Sequence, residues 1–279
     1  MPELPEVETI KKAVEKGIGN AQILNIDIRN RKLRDEVPCD LEQKLKGANI
    51  TKYERMAKYI IISLDNDFCI IWHMGMSGKV KISDTLPLEE KHDHIILKTS
   101  NGFIVYNDPR RFGLFTYCRN NELTSNKFLK KLGKDPFGNE LTADYLLEKL
   151  QKKKKTPIKA ALLDQSIISG IGNIYASEIL YESRILPSRF CESINLKDCD
   201  LIIENTKKVL QKAIDAGGST LSDYKKPDGS LGYFQNMHCV YNKKGQKCPH
   251  CTCNIKETGG IKSVIMAGRS TFYCESLQK

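Results

Sequence analysis

The chain opens with MPELPEVETIKKAVEKGIG (residues 1–19), a segment whose apolar residues are spaced by three or four positions. That spacing places them on one face of a helix. They are Leu4, Val7, Ile10, Val14 and Ile18. Gly17 and Gly19 end the pattern, as glycine commonly does after a helix. The segment therefore predicts an amphipathic helix at the start of the first domain.

Short β-rich segments follow this opening helix. They span 22–29, 58–64, 68–73, 78–82, 94–99, 102–106 and 112–117. Gly, Asn and Asp separate them, and several alternate between apolar and polar residues. Many short strands at this spacing predict a β-sandwich or barrel for the domain at 1–130.

Helical periodicity returns in the second half of the chain. The segments Thr142–Lys149, Asn173–Ser183 and Leu196–Ala216 carry helix-spaced apolar residues. We predict a helical domain over 135–235 and a small cysteine-bearing unit over 238–279. The fold class that follows is α+β.

Length and composition restrict the class of protein. The chain has 279 residues, with 44 Lys and Arg against 34 Asp and Glu, and a formal net charge of +10. Its hydrophobic fraction of 40% argues against wholesale disorder. Apolar runs fall short of the ~18 residues that a membrane span needs, and the acidic N-terminus is unlike a secretory signal. A cytoplasmic protein with a polyanionic partner fits best.

The N-terminus carries the first candidate for chemistry. Removal of Met1 would expose Pro2 as a secondary amine. The α-amino pKa of about 7.7–8.0 leaves roughly 10–15% of such groups neutral at pH 7. A secondary amine that attacks a sugar C1′ forms an iminium ion, with Glu3 beside it as general acid. The competing interpretation is a helix start, which early proline and acidic residues also favour.

Loop residues indicate contact with nucleic-acid bases. Met76 lies among glycines in HMGMSG, where an exposed methionine is suited to part stacked bases, although core methionines are commoner. Arg110 and Phe112 follow an Asp-Pro turn and predict a base-reading cation and a stacking ring on the same side of a strand. Lys58 starts a strand, where a lysine is usually a surface charge.

Two features of the helical region suit phosphates. Lys152–Lys155 is either a solvated surface or a phosphate-binding patch. Gly170 and Gly172 precede the helix that starts at Asn173, and N–H groups at a helix N-terminus bind anions.

Cysteines cluster near the C-terminus. Cys248 and Cys251 form a C-x2-C pair, and Cys274 follows later, with Leu277 where a second pair would be completed. This spacing predicts a zinc site with one ligand in question.

Segments along nearly the whole chain resemble the bacterial formamidopyrimidine-DNA glycosylase family. They are MPELPEVET, MAKY, HMGMSG, KHDH, NDPRRFG, SGIGNIYASE, GGSTL and AGRSTFYC. The resemblance implies an N-terminal β-sandwich, then a helix–two-turns–helix domain with a C-terminal zinc-ribbon hairpin. It also implies a monomeric glycosylase and abasic-site lyase that excises oxidised purines, such as 8-oxoguanine and formamidopyrimidines, from double-stranded DNA.

The same resemblance implies roles for single residues. Pro2 would be the nucleophile and Glu3 the general acid, while Lys58 would serve β-elimination and Arg269 δ-elimination. The space left by the flipped nucleotide would be filled by Met76, Arg110 and Phe112. Phosphates would be held by His92, Lys154, Lys159 and Asn173. The loop Leu221–Gly232 would cover the everted base.

The chain departs from the family at the metal, because the family has two C-x2-C pairs. Cys248, Cys251 and Cys274 match three ligands of one zinc ion. We expect Cys253 to supply the fourth, against the alternative of weak or absent zinc. His250 and Cys239 are further candidates.

Two other functions stay open. One is a related glycosylase that prefers oxidised pyrimidines, against which Met76, Arg110 and Phe112 argue. The other is a DNA-binding module without catalysis, in which Pro2 has no role.

Overall fold

The computed structural model describes residues 2–219 and 232–279. Two compact units make up the chain. Unit 1 comprises Met1–Lys130 and Ala213–Gln235, and unit 2 comprises Lys131–Lys212 and Asn236–Lys279. The last part of the segment predicted as helical, 213–235, thus groups with the strand-rich unit.

Unit 1 contains a β-sandwich of two four-stranded antiparallel sheets. In chain order the strands are β1 (Ile23–Ile28), β2 (Ile50–Met56), β3 (Tyr59–Leu64), β4 (Phe68–His73), β5 (Lys79–Ser83), β6 (Asp93–Thr99), β7 (Gly102–Asn107) and β8 (Leu114–Arg119). One sheet has the order β1-β6-β7-β5 and the other β2-β3-β4-β8. Seven of these strands were predicted from the sequence, and the edge strand β2 was not.

Helix α1 (Leu4–Ile18) packs on the sandwich through its predicted apolar face. Val14 of α1, Ile23 and Tyr106 of one sheet, and Ile62 and Trp72 of the other belong to a single buried cluster. Each large apolar side chain buried in this way contributes about 1.5–3 kcal/mol. Helix α2 (Leu41–Leu45) adds two further leucines to that cluster.

Unit 2 is helical with a C-terminal hairpin. Its helices are α3 (Ala143–Gln151), α4 (Ile158–Leu162), α5 (Asn173–Glu182), most of α6 (Leu196–Asp215), and α7 (Ile255–Thr258). Strands β9 (Lys262–Met266) and β10 (Arg269–Tyr273) form the hairpin. Ala267 and Gly268, both with positive φ, make its two-residue turn, a geometry that matches strand twist. Within the described ranges, no helix combines the length and apolarity required to cross a membrane.

Candidate functional site

Pro2 and Glu3 lie at the buried start of α1 in unit 1. Glu6, one turn further on, accepts the backbone N–H of Glu3 through Oε2 at 2.8 Å. Its other oxygen, Oε1, accepts the backbone N–H of Ser219, also at 2.8 Å. This buried carboxylate therefore fixes the backbone next to Pro2 to the segment that follows α6.

Gly218 makes that contact possible. Its φ is +78°, and a Cβ at this position would lie 2.9 Å from Oε1 of Glu6. Only glycine combines this backbone conformation with so close an approach. Neither Glu6 nor Gly218 was predicted as a site residue, although the adjacent glycines 217 and 218 signal a special turn.

Lys58 occupies the two-residue turn between β2 and β3, where Met56 pairs with Tyr59. Lys58 is only 6% exposed, so it is not the solvated surface charge that a lysine at the start of a strand usually is. Arg55 fixes this turn because it donates to the carbonyl of Ala57 at 3.2 Å and to Glu8 of α1 at 3.0 Å. The turn that carries Lys58 is thus bonded to the helix that begins beside Glu3.

His73 of β4 is an uncharged neighbour of this turn. Burial, together with the positive charges of Arg34 and Lys58, lowers its pKa to about 3. The neutral ring accepts the backbone N–H of Gly75 on Nδ1 at 2.9 Å. His73 therefore helps to set the loop that carries Met76.

Met76, Arg110 and Phe112 project from two loops of unit 1. Met76 is 38% exposed and Phe112 is 46% exposed. The Arg110 guanidinium lies 4.8 Å from the centre of the Phe112 ring, within cation–π range. The predicted strand beginning at 112 is corrected: β8 begins at Leu114, so stacking within a loop brings Arg110 and Phe112 together.

Asp108 holds these two loops together. Its carboxylate accepts from the Ser77 hydroxyl at 2.6 Å, the Gly113 N–H at 2.9 Å and the Tyr106 hydroxyl at 3.0 Å. The His92 carbonyl accepts the Asp108 N–H at 3.0 Å, which brings half-buried His92 to the same cluster. Burial and the neighbouring Asp108 carboxylate raise the pKa of the Tyr106 hydroxyl. Sequence reasoning missed Asp108, although it begins the Asp-Pro turn.

In unit 2, the residues predicted to bind phosphates (Lys154, Lys159 and Asn173) and to serve δ-elimination (Arg269) lie in different environments. Lys154 is exposed after α3, Asn173 is the first residue of α5, and Arg269 is exposed at the start of β10. Lys159 differs from the expectation of a direct phosphate contact, because it is 0% exposed. Its ammonium donates within the protein, to Oδ1 of Asn173 among others.

Glu178 of α5 anchors the segment before the hairpin. Its buried carboxylate accepts the backbone N–H groups of Cys239, Val240 and Tyr241 at 2.7, 3.0 and 2.7 Å. Burial raises the pKa of Glu178, and these three bonds oppose that rise. Sequence reasoning missed this role, because a glutamate inside a helix carries no local sign of such a long-range contact.

The sulfur atoms of Cys248, Cys251 and Cys274 lie within 4.8 Å of one another. Three converging cysteine sulfurs, two of them on buried residues, fit a metal that prefers sulfur ligands, such as zinc. Cys253 is not part of this group, and the structure joins its sulfur to that of Cys251 in a disulfide. Disulfide sulfurs are not thiolates, so the metal-bound form requires this pair to be reduced.

The remaining candidates for the fourth ligand have other partners. Leu277 packs against the apolar cluster around the thiols. Cys239 donates to Glu182 at 3.6 Å, and the His250 ring lies 5.6 Å from that of Tyr181. The loop predicted to cover an everted base, Leu221–Gly232, lies outside the described residues except for Gly232.

Comparison with known proteins places this arrangement in one family. The formamidopyrimidine-DNA glycosylase N-terminal domain matches residues 1–115, and the H2TH domain of the same glycosylase matches 132–225. The formamidopyrimidine-DNA glycosylases of Wolbachia sp. subsp. Brugia malayi and Zymomonas mobilis are 42% and 41% identical, each over 100% of both chains.

Solved structures agree with this match. A Lactococcus lactis FPG variant in complex with a Fapy-dG containing DNA is 32% identical, with a TM-score of 0.90 and 100% of both chains covered. Lactococcus lactis Fpg in complex with an abasic site containing DNA is 32% identical, with a TM-score of 0.89 and 99% of both chains covered. The chain belongs to the formamidopyrimidine-DNA glycosylase family.

Proposed function

We propose that the chain excises oxidised purines from double-stranded DNA and then cleaves the strand at the abasic site. The observation that carries this proposal is the buried Pro2–Glu3 start, where one oxygen of Glu6 accepts the Glu3 N–H and the other accepts the Ser219 N–H. Such fixation suits a nucleophile that must meet a sugar carbon in one orientation. Full-length identity of about 40% to formamidopyrimidine-DNA glycosylases supports the same conclusion.

Pro2 acts as the nucleophile once Met1 has been removed. Its nitrogen bonds to C1′ of the damaged nucleotide as the base departs with the electrons of the glycosidic bond. Glu3 donates a proton to the ring oxygen as the sugar opens, and the nitrogen loses its own proton to leave an iminium ion. The catalytic gain comes from an amine that is partly neutral near pH 7 and already oriented.

Strand cleavage follows from the same iminium ion. It withdraws electrons from the sugar, so C2′ loses a proton and the 3′ phosphate leaves by β-elimination. Lys58 serves this step, and Arg269 serves the δ-elimination that releases the 5′ phosphate. The products are a one-nucleotide gap and phosphate ends.

Extrusion of the damaged base costs a few kcal/mol of stacking and pairing. Met76, Phe112 and Arg110 offset part of this cost by filling the vacated space, and their exposure on loops joined by Asp108 supports that role. His92, Lys154 and Asn173 hold phosphates. The protein acts as a cytoplasmic monomer on damaged DNA.

One zinc ion bound by Cys248, Cys251 and Cys274 stabilises the region around the hairpin that carries Arg269. We assign Cys253 as its fourth ligand in the reduced protein. Thiolates are the ligands that structural zinc sites favour, and Cys253 lies two residues from Cys251.

A paired substrate assay tests the proposal. Duplexes with 8-oxoguanine opposite cytosine, or with an oxidised pyrimidine, are incubated with Met1-free protein, and released base and strand ends are measured. We expect faster excision of 8-oxoguanine and a gap with phosphate ends. Faster excision of the pyrimidine would favour the alternative substrate, and binding without excision would favour the non-catalytic module.

A further inference from the structure

Lys159 is a charged residue with no exposed surface, in the first turn of α4. We propose that Lys159 is a positioning residue that orients the Asn173 amide so that an N–H group, rather than its carbonyl oxygen, meets a DNA phosphate. This inference rests on the proposed function, because it takes Asn173 as a phosphate contact. It replaces the expectation that Lys159 itself touches DNA.

The geometry around the Lys159 ammonium is specific. Nζ donates to Oδ1 of Asn173 at 2.6 Å, to Oγ1 of Thr271 at 2.7 Å and to the carbonyl of Ser270 at 3.2 Å. A lysine ammonium has three donors and no acceptor. These contacts therefore use it to connect the start of α5 with strand β10.

The donor-only character of lysine fixes the Asn173 amide. The two ends of an asparagine amide have nearly the same shape, so hydrogen bonding decides which end points where. Lys159 can face only the oxygen, which turns Nδ2 the other way. There Nδ2 donates to the Ser270 carbonyl at 3.0 Å and to the Tyr241 hydroxyl at 3.4 Å. A bound phosphate would take the N–H of the longer bond, which is the weaker of the two.

This orientation matters because a phosphate only accepts hydrogen bonds. An Asn173 side chain turned the other way would present its carbonyl oxygen to the anion and repel it. The Asn173 amide stands at the N-terminus of α5, where backbone N–H groups also favour an anion. Lys159 thus orients the Asn173 side chain so that it presents a hydrogen-bond donor, as the backbone N–H groups at this helix N-terminus do.

The same ammonium also reaches the hairpin. The Ser270 carbonyl accepts from both Lys159 and Asn173, and Ser270 directly follows Arg269 in β10. Thr271 is buried and bonded to the same ammonium. Ser270, the hairpin residue next to Arg269, is therefore held by both Lys159 and Asn173.

A double-mutant cycle tests the inference. Lys159→Met, Asn173→Ala and the double variant are compared with the wild type for binding to a duplex that carries a tetrahydrofuran abasic analogue, over a range of salt concentrations. Lys208→Met, which removes an exposed lysine on α6, is the matched control. Thermal unfolding and zinc content are measured on every variant.

We expect Lys159→Met and Asn173→Ala each to raise Kd roughly tenfold, the size of one lost hydrogen bond to a charged group. We expect the double variant to bind as Asn173→Ala does, with an unchanged salt slope. A further loss in the double variant, or a fall of about 0.9 in the slope, would overturn the inference, because it would indicate an independent role or a direct phosphate contact.

Two more variants keep the test decisive if Lys159→Met does not fold. Lys159→Arg keeps a donor-only group and is expected to bind close to wild type. Lys159→Gln can donate or accept, so it should bind more weakly than the arginine variant. Equal binding by both would overturn the inference. Failure of the wild type to prefer the abasic analogue over undamaged DNA would instead count against the proposed function.

Discussion

The carboxylate of Glu6 accepts a hydrogen bond of 2.8 Å from the backbone N–H of Ser219, a residue 213 positions away in the sequence. Its second oxygen accepts the N–H of Glu3. One buried side chain thus joins the residue after Pro2 to the segment at the end of α6, within a single compact unit. The position of the proposed nucleophile depends on this bond.

Replacement of Glu6 by glutamine tests that dependence. Glu6→Gln keeps the shape but turns an NH2 group toward a backbone donor. We expect a loss of about 1.5–3 kcal/mol in the free energy of unfolding and at least tenfold slower excision. Urea unfolding and single-turnover kinetics measure the two effects. Glu15→Gln, on the exposed face of α1, should change stability by less than about 0.5 kcal/mol; equal effects from the two variants would refute the role of Glu6.

Asp108 should control how the two base-contacting loops present their side chains. Asp108→Asn places a donor where Ser77, Tyr106 and Gly113 all donate. We expect a loss of about 2 kcal/mol in stability and a higher KM for damaged duplex. The exposed loop variant Asp84→Asn is the control. An unchanged KM with lowered stability would show that Asp108 serves only the fold.

The buried His73 predicts a loss of stability in acid. Its pKa is about 3 in the folded protein and about 6.5 in the unfolded chain. Between these two pH values the unfolded chain binds a proton that the folded protein does not bind. The contribution of neutral His73 to the free energy of unfolding is complete above about pH 6.5. It falls by up to about 1.4 kcal/mol per pH unit below that. Urea unfolding of His73→Gln should show a shallower decline between pH 6.5 and pH 4 than the wild type, and parallel declines would contradict the account.

Metal content tests the fourth zinc ligand. Protein purified without a tag under reducing conditions should contain about one zinc per chain. We expect Cys253→Ser to lose zinc to a chelator faster than wild type, because a thiolate ligand is gone. Cys39→Ser, at an exposed cysteine remote in sequence, is the control. Equal zinc retention by Cys253→Ser and wild type would remove Cys253 from the site.

The sequence predicted elements whose pattern is local. The face of α1 and seven strands carry helical spacing or alternation, and the structure contains them. Strand β2 was missed because it is an edge strand in which only Ile50 and Tyr53 are buried, without alternation. A five-residue helix such as α4 is too short to show a period.

The site residues could likewise be predicted where their signal is local in the sequence, and were missed where they act through distant partners. Exposed loop residues such as Met76 and Phe112 were predictable, because glycine and proline mark their turns. Asp108, Glu178 and Lys159 act through partners distant in sequence, which no local spacing reveals. The burial of Lys159 ran against expectation because a lysine near a lysine run normally stays in water.

Borohydride trapping on a duplex with 8-oxoguanine opposite cytosine tests the central claim most directly. Reduction of an iminium ion leaves a stable covalent link, which intact mass and peptide mapping locate. We predict a covalent adduct on the nitrogen of Pro2 in chains that lack Met1. Absence of an adduct from Met1-free protein that binds the duplex, or an adduct on another residue, would contradict the proposed mechanism.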